Sequence, residues 1–243
     1  MRSIDNIIGM VQLRLNSSRV PFKMLSQIGD YELLYWVMYR LKRTGLKHVI
    51  ICAAKETKNK DFAEKLSSLA REFGYFLFWG NEDNVSKRFL MAFDSYSRKK
   101  NIPQEFQILR VCGDRPFLEK SFLDSLLTSG LDIDIAYNHH INGKLTGFGY
   151  ELLSHKLSEK IFQRKDLSLL NKEHLTLNIY NDTKYICRPI FPTDINLGEL
   201  TGDLKFDVDT QEDIIRINAL INKFKINMEM DNIYRFLLEG VKK

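Results

Sequence analysis

The feature that most constrains the fold is a regular alternation of short apolar runs, rich in β-branched residues, with longer segments that carry apolar residues at helical spacing. Residues 33–41, 62–70 and 85–93 place apolar side chains three or four positions apart, which is typical of a buried helix face. The apolar runs that predict strands are residues 7–13, 48–54, 75–79 and 106–112. This alternation predicts an α/β fold with a mostly parallel central sheet and helices on both faces.

The alternation changes after residue 130, where glycine and asparagine punctuate the sequence. Residues 132–190 predict a small second lobe within one continuous domain that spans residues 1–243. We expect this lobe to contain a helix from about residue 152 to residue 164. A strand-like segment at 205–209 then returns to the sheet, and Thr210 is suited to cap the first of two final helices.

Composition excludes several classes of protein. With 44% hydrophobic residues in 243, the chain can close a core, and no apolar stretch is long enough to cross a membrane. The three cysteines are far apart, and Asp5 interrupts any apolar leader, so we expect a soluble protein of the reducing cytoplasm. A net charge of +5 suits an anionic ligand, whereas no motif for binding nucleic acid is present.

A polar and basic stretch follows the first predicted strand. Arg14, Arg19 and Lys23 occur within ten residues, interleaved with small hydroxyl residues. Guanidinium groups match phosphate oxygens and lysine adds a point charge, so this stretch favours a triphosphate ligand. It contains neither a GxxxxGK[ST] nor a GxGxxG loop. The alternative is a solvated basic loop.

Acidic residues follow two later apolar runs. Asp114 comes after Gly113, and Asp207 and Asp209 precede the helix predicted to begin at Thr210. Ligands of open α/β sheets bind at the carboxyl ends of strands. Two carboxylates meeting there would form a magnesium site for phosphoryl or nucleotidyl transfer. The alternatives are an ordinary turn aspartate and a helix cap.

The order of these motifs resembles one family, the SpsF-type cytidylyltransferases, which are named for spore coat polysaccharide biosynthesis and are similar to the CMP-Kdo and CMP-sialate synthetases. The resemblance extends from about residue 7 to residue 222. The segments that carry it are 12–23 (Gln-x-Arg-x-x-Ser-x-Arg-x-Pro-x-Lys), 80–88, 113–116, 173–174 and 208–213.

The resemblance implies a nucleotide-diphospho-sugar transferase fold, which is Rossmann-like, and an enzyme that uses CTP and Mg²⁺. It implies transfer of CMP to a sugar acid, a phosphosugar or another small phosphorylated acceptor, with release of pyrophosphate. Relatives commonly form homodimers through the small lobe, so the same is expected here, and no membrane or nucleic-acid partner is expected. The pathway implied is surface glycan biosynthesis.

The resemblance also assigns roles to individual residues. The catalytic residues it implies are Arg14, Arg19, Lys23 and Asp114, and the metal ligands are Asp114 and Asp209. The nucleotide-binding residues it implies are Gln12, Leu13, Arg14, Ser17, Arg19, Lys23, Asp83, Arg88, Arg110 and Gly113. The acceptor-binding residues it implies are Tyr150, Glu173 and His174, although the last two could instead brace a helix.

The chain departs from the family pattern at two places. No glycine occurs from residue 11 to residue 28, where relatives have Arg-Met-Gly-Ser and a glycine before the lysine. The segment 147–150 lacks the acid that relatives have on the acceptor side. No general base stands out, and the candidates are His139, His140, His174 and Asp207. A relative that has lost catalysis and only binds nucleotide or a partner remains the alternative.

Overall fold

The central element of the fold is a seven-stranded, mostly parallel sheet. A computed structural model describes residues 2–14, 19–55, 59–129, 132–139, 145–195 and 204–241. The strands of the chain are β1 (Ile7–Leu13), β2 (Gln27–Ile28), β3 (Tyr31–Glu32), β4 (His48–Ala54), β5 (Phe76–Gly80), β6 (Gln107–Cys112), β7 (Ile135–Tyr137), β8 (Glu151–Leu153) and β9 (Cys187–Pro189). The large sheet has the order β5-β4-β1-β6-β8-β7-β9, and β2 and β3 form a small second sheet.

Helices cover both faces of this sheet. They are α1 (Leu33–Arg43), α2 (Lys60–Phe73), α3 (Val85–Ser97), α4 (Lys120–Leu127), α5 (His155–Ser158), α6 (Leu177–Tyr180), α7 (Gln211–Phe224) and α8 (Ile233–Val241). Alternate residues of β1 enter two different cores, as expected for a strand buried on both sides. The predicted fold class is therefore confirmed.

The sheet changes direction beyond β6. β8 runs antiparallel to both β6 and β7, and β9 runs parallel to β7. The helix predicted from residue 152 begins instead at His155, because Leu152 and Leu153 are fully buried within β8 and Ser154 caps α5. A π-helical turn, Glu159–Gln163, continues α5.

The segment predicted as a strand at 205–209 is irregular. Leu204 makes one isolated bridge to Leu145, and backbone hydrogen bonds then tie the segment to neighbouring loops rather than to a strand. The predicted strand, which would have placed Asp207 and Asp209 on one face, is therefore wrong. None of the described helices is long and apolar enough to span a bilayer.

Candidate active site

The ammonium group of Lys23 brings together three separate segments. Lys23 begins a 3-10 helix, Lys23–Leu25, and its side chain is only 8% exposed. Its Nζ lies 3.3 Å from Asp114 Oδ2 and donates a 2.9 Å hydrogen bond to the Val208 carbonyl oxygen. Asp209 Oδ1 lies 3.5 Å from the same nitrogen. Both aspartates predicted to bind a metal ion therefore face one cation.

Close packing against β1 fixes Asp114 at the carboxyl end of β6. The Gly113 N–H donates to the Gln12 carbonyl oxygen at 3.0 Å. A Cβ at Gly113 would lie 2.8 Å from that oxygen, so only glycine permits this approach. The Asp114 carbonyl oxygen accepts a 2.8 Å hydrogen bond from the Val208 N–H, which holds the segment before α7 beside the turn.

The charged surroundings keep Asp114 ionised. Burial alone would raise the pKa of Asp114, but Lys23 and Arg115 outweigh burial and hold the pKa below its ordinary value. Asp207 differs, because burial raises its pKa and the charge of Asp114 adds to this effect. Thr146 Oγ1 donates to Asp207 Oδ1 at 2.5 Å and lowers the pKa, but it does not outweigh burial. Asp114 is thus the stronger candidate for binding a cation at neutral pH.

Thr210, rather than Asp209, caps helix α7. The Thr210 side chain accepts from the Asp213 N–H, and the Asp213 carboxylate accepts from the Thr210 N–H. The Asp209 carboxylate is left to face Lys23, and Arg19 Nη2 lies 3.3 Å from its Oδ1. The sequence signal for a cap therefore belongs to Thr210, and Asp209 is available to bind a ligand.

The oxygen atoms around Lys23 Nζ are suitable ligands for a magnesium ion. Two carboxylates and one carbonyl oxygen already converge on a cation, and hard oxygen ligands are those that Mg²⁺ prefers. No cluster of three or more His, Cys, Asp or Glu suited to a metal ion occurs among the residues that the structure describes. A site with two carboxylates matches a Mg²⁺ that keeps waters and substrate phosphates among its ligands.

The predicted phosphate loop is partly described. Arg14 is exposed and lines a small cavity with Gln12, Lys23 and Asp114, called the Asp114 cavity below. The side chain of Arg19 is 62% exposed, whereas Leu13 is buried in the core. Ser17 lies outside the described residues.

One residue of the phosphate loop has a backbone conformation that favours glycine. Phe22 has a left-handed φ of 59° and stands where relatives have glycine before the lysine. Phe22 therefore holds a backbone conformation that glycine would adopt without steric cost.

A second cavity adjoins the first. It has a volume of about 400 Å³, and its lining includes Arg110, Tyr137, His139, Glu151 and His174; we call it the Glu151 cavity. Arg110 Nη2 donates to Gln12 Oε1 at 3.2 Å, so Arg110 and Gln12 separate the two cavities. The predicted site residues Gln12 and Arg110 therefore meet at this boundary.

Glu151 is the centre of a polar network in the second cavity. Arg110 Nη1 donates to Glu151 Oε1 at 2.6 Å, and Thr176 Oγ1 donates to Glu151 Oε2 at 2.8 Å. His139 Nε2 lies 3.4 Å from Oε1. Burial alone would raise the pKa of Glu151, but Arg110, His139 and Thr176 lower it below its ordinary value. Glu151 is therefore ionised and balances the charge of Arg110.

Asp83 and Arg88 are placed differently from each other. Asp83 is exposed in the turn after β5, whereas Arg88 is fully buried in the first turns of α3. Arg88 Nη1 donates to the carbonyl oxygens of Asn81 and Glu82 at 2.6 and 3.2 Å. Burial lowers the pKa of Arg88. In this structure Arg88 supports the turn that carries Asp83.

The three predicted acceptor residues do not all line one cavity. His174 lines the Glu151 cavity, Glu173 is exposed, and Tyr150 is fully buried in the larger core. Among the candidate bases, His139 lines the Glu151 cavity, whereas His140 lies outside the described residues.

Sequence reasoning missed Glu151, Thr176 and the Val208 carbonyl group. Glu151 is opposite Arg110 in the register of the antiparallel pair β6–β8, and this register is not visible in the linear sequence. Only the opposite charges of Arg110 and Glu151 on two apolar strands could have signalled the pair.

Comparison with known proteins assigns the chain to a family. A family model described as "Cytidylyltransferase" matches residues 8–235. The chain belongs to the cytidylyltransferase family. It is therefore a CTP-dependent nucleotidyltransferase, which confirms the predicted class of enzyme.

One relative of known name agrees with this assignment. The chain is 25% identical over 224 residues to the spore coat polysaccharide biosynthesis protein SpsF of Bacillus subtilis (strain 168), covering 90% of this chain and 88% of the relative. The predicted resemblance to SpsF-type cytidylyltransferases is thus confirmed.

Solved structures share the fold. A cytidylyltransferase from Leptospira borgpetersenii serovar Hardjo-bovis superposes with a TM-score of 0.74 at 23% identity, over 98% of this chain and 94% of that chain. A CMP:2-keto-3-deoxy-manno-octonic acid synthetase complexed with CTP superposes with a TM-score of 0.56 at 12% identity, over 89% of this chain and 98% of that chain.

Proposed function

We propose that this cytidylyltransferase transfers CMP from CTP to a sugar acid, a phosphosugar or another small phosphorylated acceptor, with Mg²⁺ as the cofactor and pyrophosphate as the second product. The observation that carries the proposal is the convergence of Asp114 and Asp209 on Lys23 Nζ, beside the basic stretch that follows β1. This arrangement offers oxygen ligands for a cation and cations for a triphosphate at one edge of the sheet.

Asp114 and Asp209 would hold the magnesium ion, with the Val208 carbonyl oxygen close to them. When bound, Mg²⁺ supplies positive charge that stabilises the negative charge developing on the transferring phosphoryl group. The lowered pKa of Asp114 suits this role, because the carboxylate needs no deprotonation before it binds a cation.

The basic side chains would bind the triphosphate. Arg14 and Arg19 are exposed and can reach oxygens of the outer phosphates, and Lys23 adds a fixed charge next to the aspartates. An acceptor oxygen attacks the α-phosphorus in line while the bond from that phosphorus to the bridging oxygen breaks. Pyrophosphate leaves with the electron pair of that bond, and the cations stabilise its charge.

The proton of the attacking group depends on the acceptor. A phosphate acceptor is already an anion, whereas a hydroxyl acceptor needs a base. His139, His174 and Asp207 are the candidates among the described residues, and the raised pKa of Asp207 makes it a stronger base than an ordinary aspartate.

The wider biological role is inferred from relatives and sequence. The printed name of the Bacillus subtilis relative supports a place in surface glycan biosynthesis. We further propose that the enzyme works in the cytoplasm and forms a homodimer through residues 132–190, the acceptor and dimerisation lobe expected from the sequence.

The test is release of pyrophosphate from CTP and Mg²⁺ with a panel of sugar acids, phosphosugars and polyol phosphates, with product masses read by mass spectrometry. We expect one class of acceptor to gain the mass of CMP. Binding of CTP without any product across the panel would instead support a relative that has lost catalysis.

A further inference from the structure

The Glu151 cavity lies directly beside the Asp114 cavity, where the acceptor would react. Its wall is shared with the Asp114 cavity, since Gln12 lines one, Arg110 lines the other, and their side chains are 3.2 Å apart. A molecule that reacts at Asp114 can extend into the second cavity across this boundary. A volume of about 400 Å³ accommodates a small molecule.

The charges in this cavity are already balanced. Among the described lining residues, Arg110 and Glu151 are the only ones other than histidine that are charged at neutral pH, and they form a 2.6 Å ion pair. The side chains of Arg110 and Glu151 are only 12% and 3% exposed. An anionic group bound here would meet the Glu151 carboxylate, and an ammonium group would meet the Arg110 guanidinium.

The remaining lining suits an uncharged, hydroxylated molecule. The rings of Tyr137 and Tyr180 meet edge to face at 5.4 Å and offer apolar surface to C–H groups. His174 offers a ring that forms hydrogen bonds, whereas the Thr176 hydroxyl already donates to Glu151. Two tyrosine rings and a carboxylate could also form a site for a quaternary ammonium ion, but here Arg110 already occupies the carboxylate.

We propose that the Glu151 cavity binds the uncharged, hydroxyl-bearing body of a sugar or polyol acceptor whose anionic group lies only at the reacting end, and that the Arg110–Glu151 ion pair sets this specificity. This proposal rests on the proposed function. The proposed specificity excludes aminoalkyl phosphates, which carry a cation at the end away from the reacting phosphate. It also excludes bisphosphates, which carry an anion at that end.

The wild-type enzyme provides the first test. At pH 8, kcat/KM is measured with CTP and Mg²⁺ for a hexose 1-phosphate, glycerol 3-phosphate, a sugar acid, phosphoethanolamine, phosphocholine and a hexose bisphosphate. We expect at least one of the first three to exceed each of the last three by about tenfold or more. Comparison among the first three distinguishes an acceptor phosphate from an acceptor hydroxyl.

Preference for phosphocholine, phosphoethanolamine or the bisphosphate would overturn the inference while leaving CMP transfer intact. A separate calorimetric titration with CTP and Mg²⁺ distinguishes a failure of this inference from a failure of the proposed function. Failure to bind CTP would overturn the proposed function itself, and the inference with it.

The variant Glu151→Gln provides the second test. It leaves the Arg110 charge unbalanced, so kcat/KM for the bisphosphate relative to the hexose 1-phosphate should rise by about tenfold. The matched control is Glu119→Gln, which breaks another buried Arg–Glu pair, that of Arg40 and Glu119 at 2.9 Å. This control should lower stability in a similar way but leave the ratio unchanged. An unchanged ratio in folded Glu151→Gln would overturn the role of the pair.

Discussion

The buried ammonium group of Lys23 contacts both candidate metal ligands, Asp114 and Asp209. Burial alone would raise the pKa of Asp114, and the charge of Lys23 opposes this effect. Lys23 thus balances negative charge of the Asp114 and Asp209 carboxylates.

The first prediction concerns the two aspartates. Asp114→Asn and Asp209→Asn should each fold normally but lose about 10²-fold or more in turnover, since each loses a charged ligand near the reacting phosphate. Steady-state pyrophosphate release measures this loss. The control is Asp124→Asn, a half-exposed aspartate that pairs with Lys120 on α4. Near-normal turnover of Asp114→Asn would remove that residue from the metal site.

The second prediction concerns Arg19, which is exposed and near Asp209. Arg19→Ala should weaken CTP binding by about 10- to 100-fold through loss of a charge-assisted hydrogen bond, yet CMP should bind almost as it does to the parent. Calorimetry with each nucleotide measures the difference, and exposed Arg98 supplies the control Arg98→Ala. Equal losses for CTP and CMP would show that Arg19 does not contact the outer phosphates.

At the scale of elements, the start of α7 positions Asp209. Thr210→Ala removes the capping box and should lower the free energy of unfolding by about 1 kcal/mol. Because Asp209 directly precedes the cap, the same change should also weaken Mg²⁺-dependent CTP binding. Chemical denaturation and calorimetry measure the two effects.

The matched control is Asn59→Ala, which removes the cap of α2 at a similar cost in stability. This variant should bind Mg²⁺ and CTP like the parent. If both variants bind equally well, the cap of α7 stabilises the helix without positioning Asp209.

The sequence predicted the elements that periodicity defines and missed those that depend on pairing. Apolar runs in β1 and β4 gave their bounds correctly, because strands buried on both faces are continuously apolar. The start of α5 was wrong by three residues, since the burial of Leu152 in a strand between β6 and β7 is a tertiary effect. Asp114 was predictable from its glycine turn, whereas its shared contact with Lys23 required the folded loop.

At the scale of the whole molecule, the residues beyond β6 extend the sheet. The strand β7 is paired on both sides, by β8 and β9. The edge is instead β9, a three-residue strand that contains Pro189, and such strands resist pairing with other chains. A dimer through this lobe would therefore use side chains rather than sheet extension.

The proposed homodimer gives a prediction of mass. Light scattering at micromolar concentration should show about twice the 28.5 kDa of one chain. Ile186 is an exposed apolar residue beside β9, so Ile186→Glu should shift the equilibrium toward the monomer. A parent protein that stays at 28.5 kDa would contradict the dimer without affecting the proposed chemistry.

The most direct test of CMP transfer follows the phosphorus atoms of CTP. The protein is incubated with Mg²⁺ and an accepted sugar or polyol substrate, in parallel with CTP labelled at the α-phosphate and CTP labelled at the γ-phosphate. Attack on the α-phosphorus predicts that the α label appears in the acceptor product and the γ label in pyrophosphate, in equal amounts. Transfer of the γ label to the acceptor, or release of CMP with no labelled acceptor product, would contradict the proposed reaction.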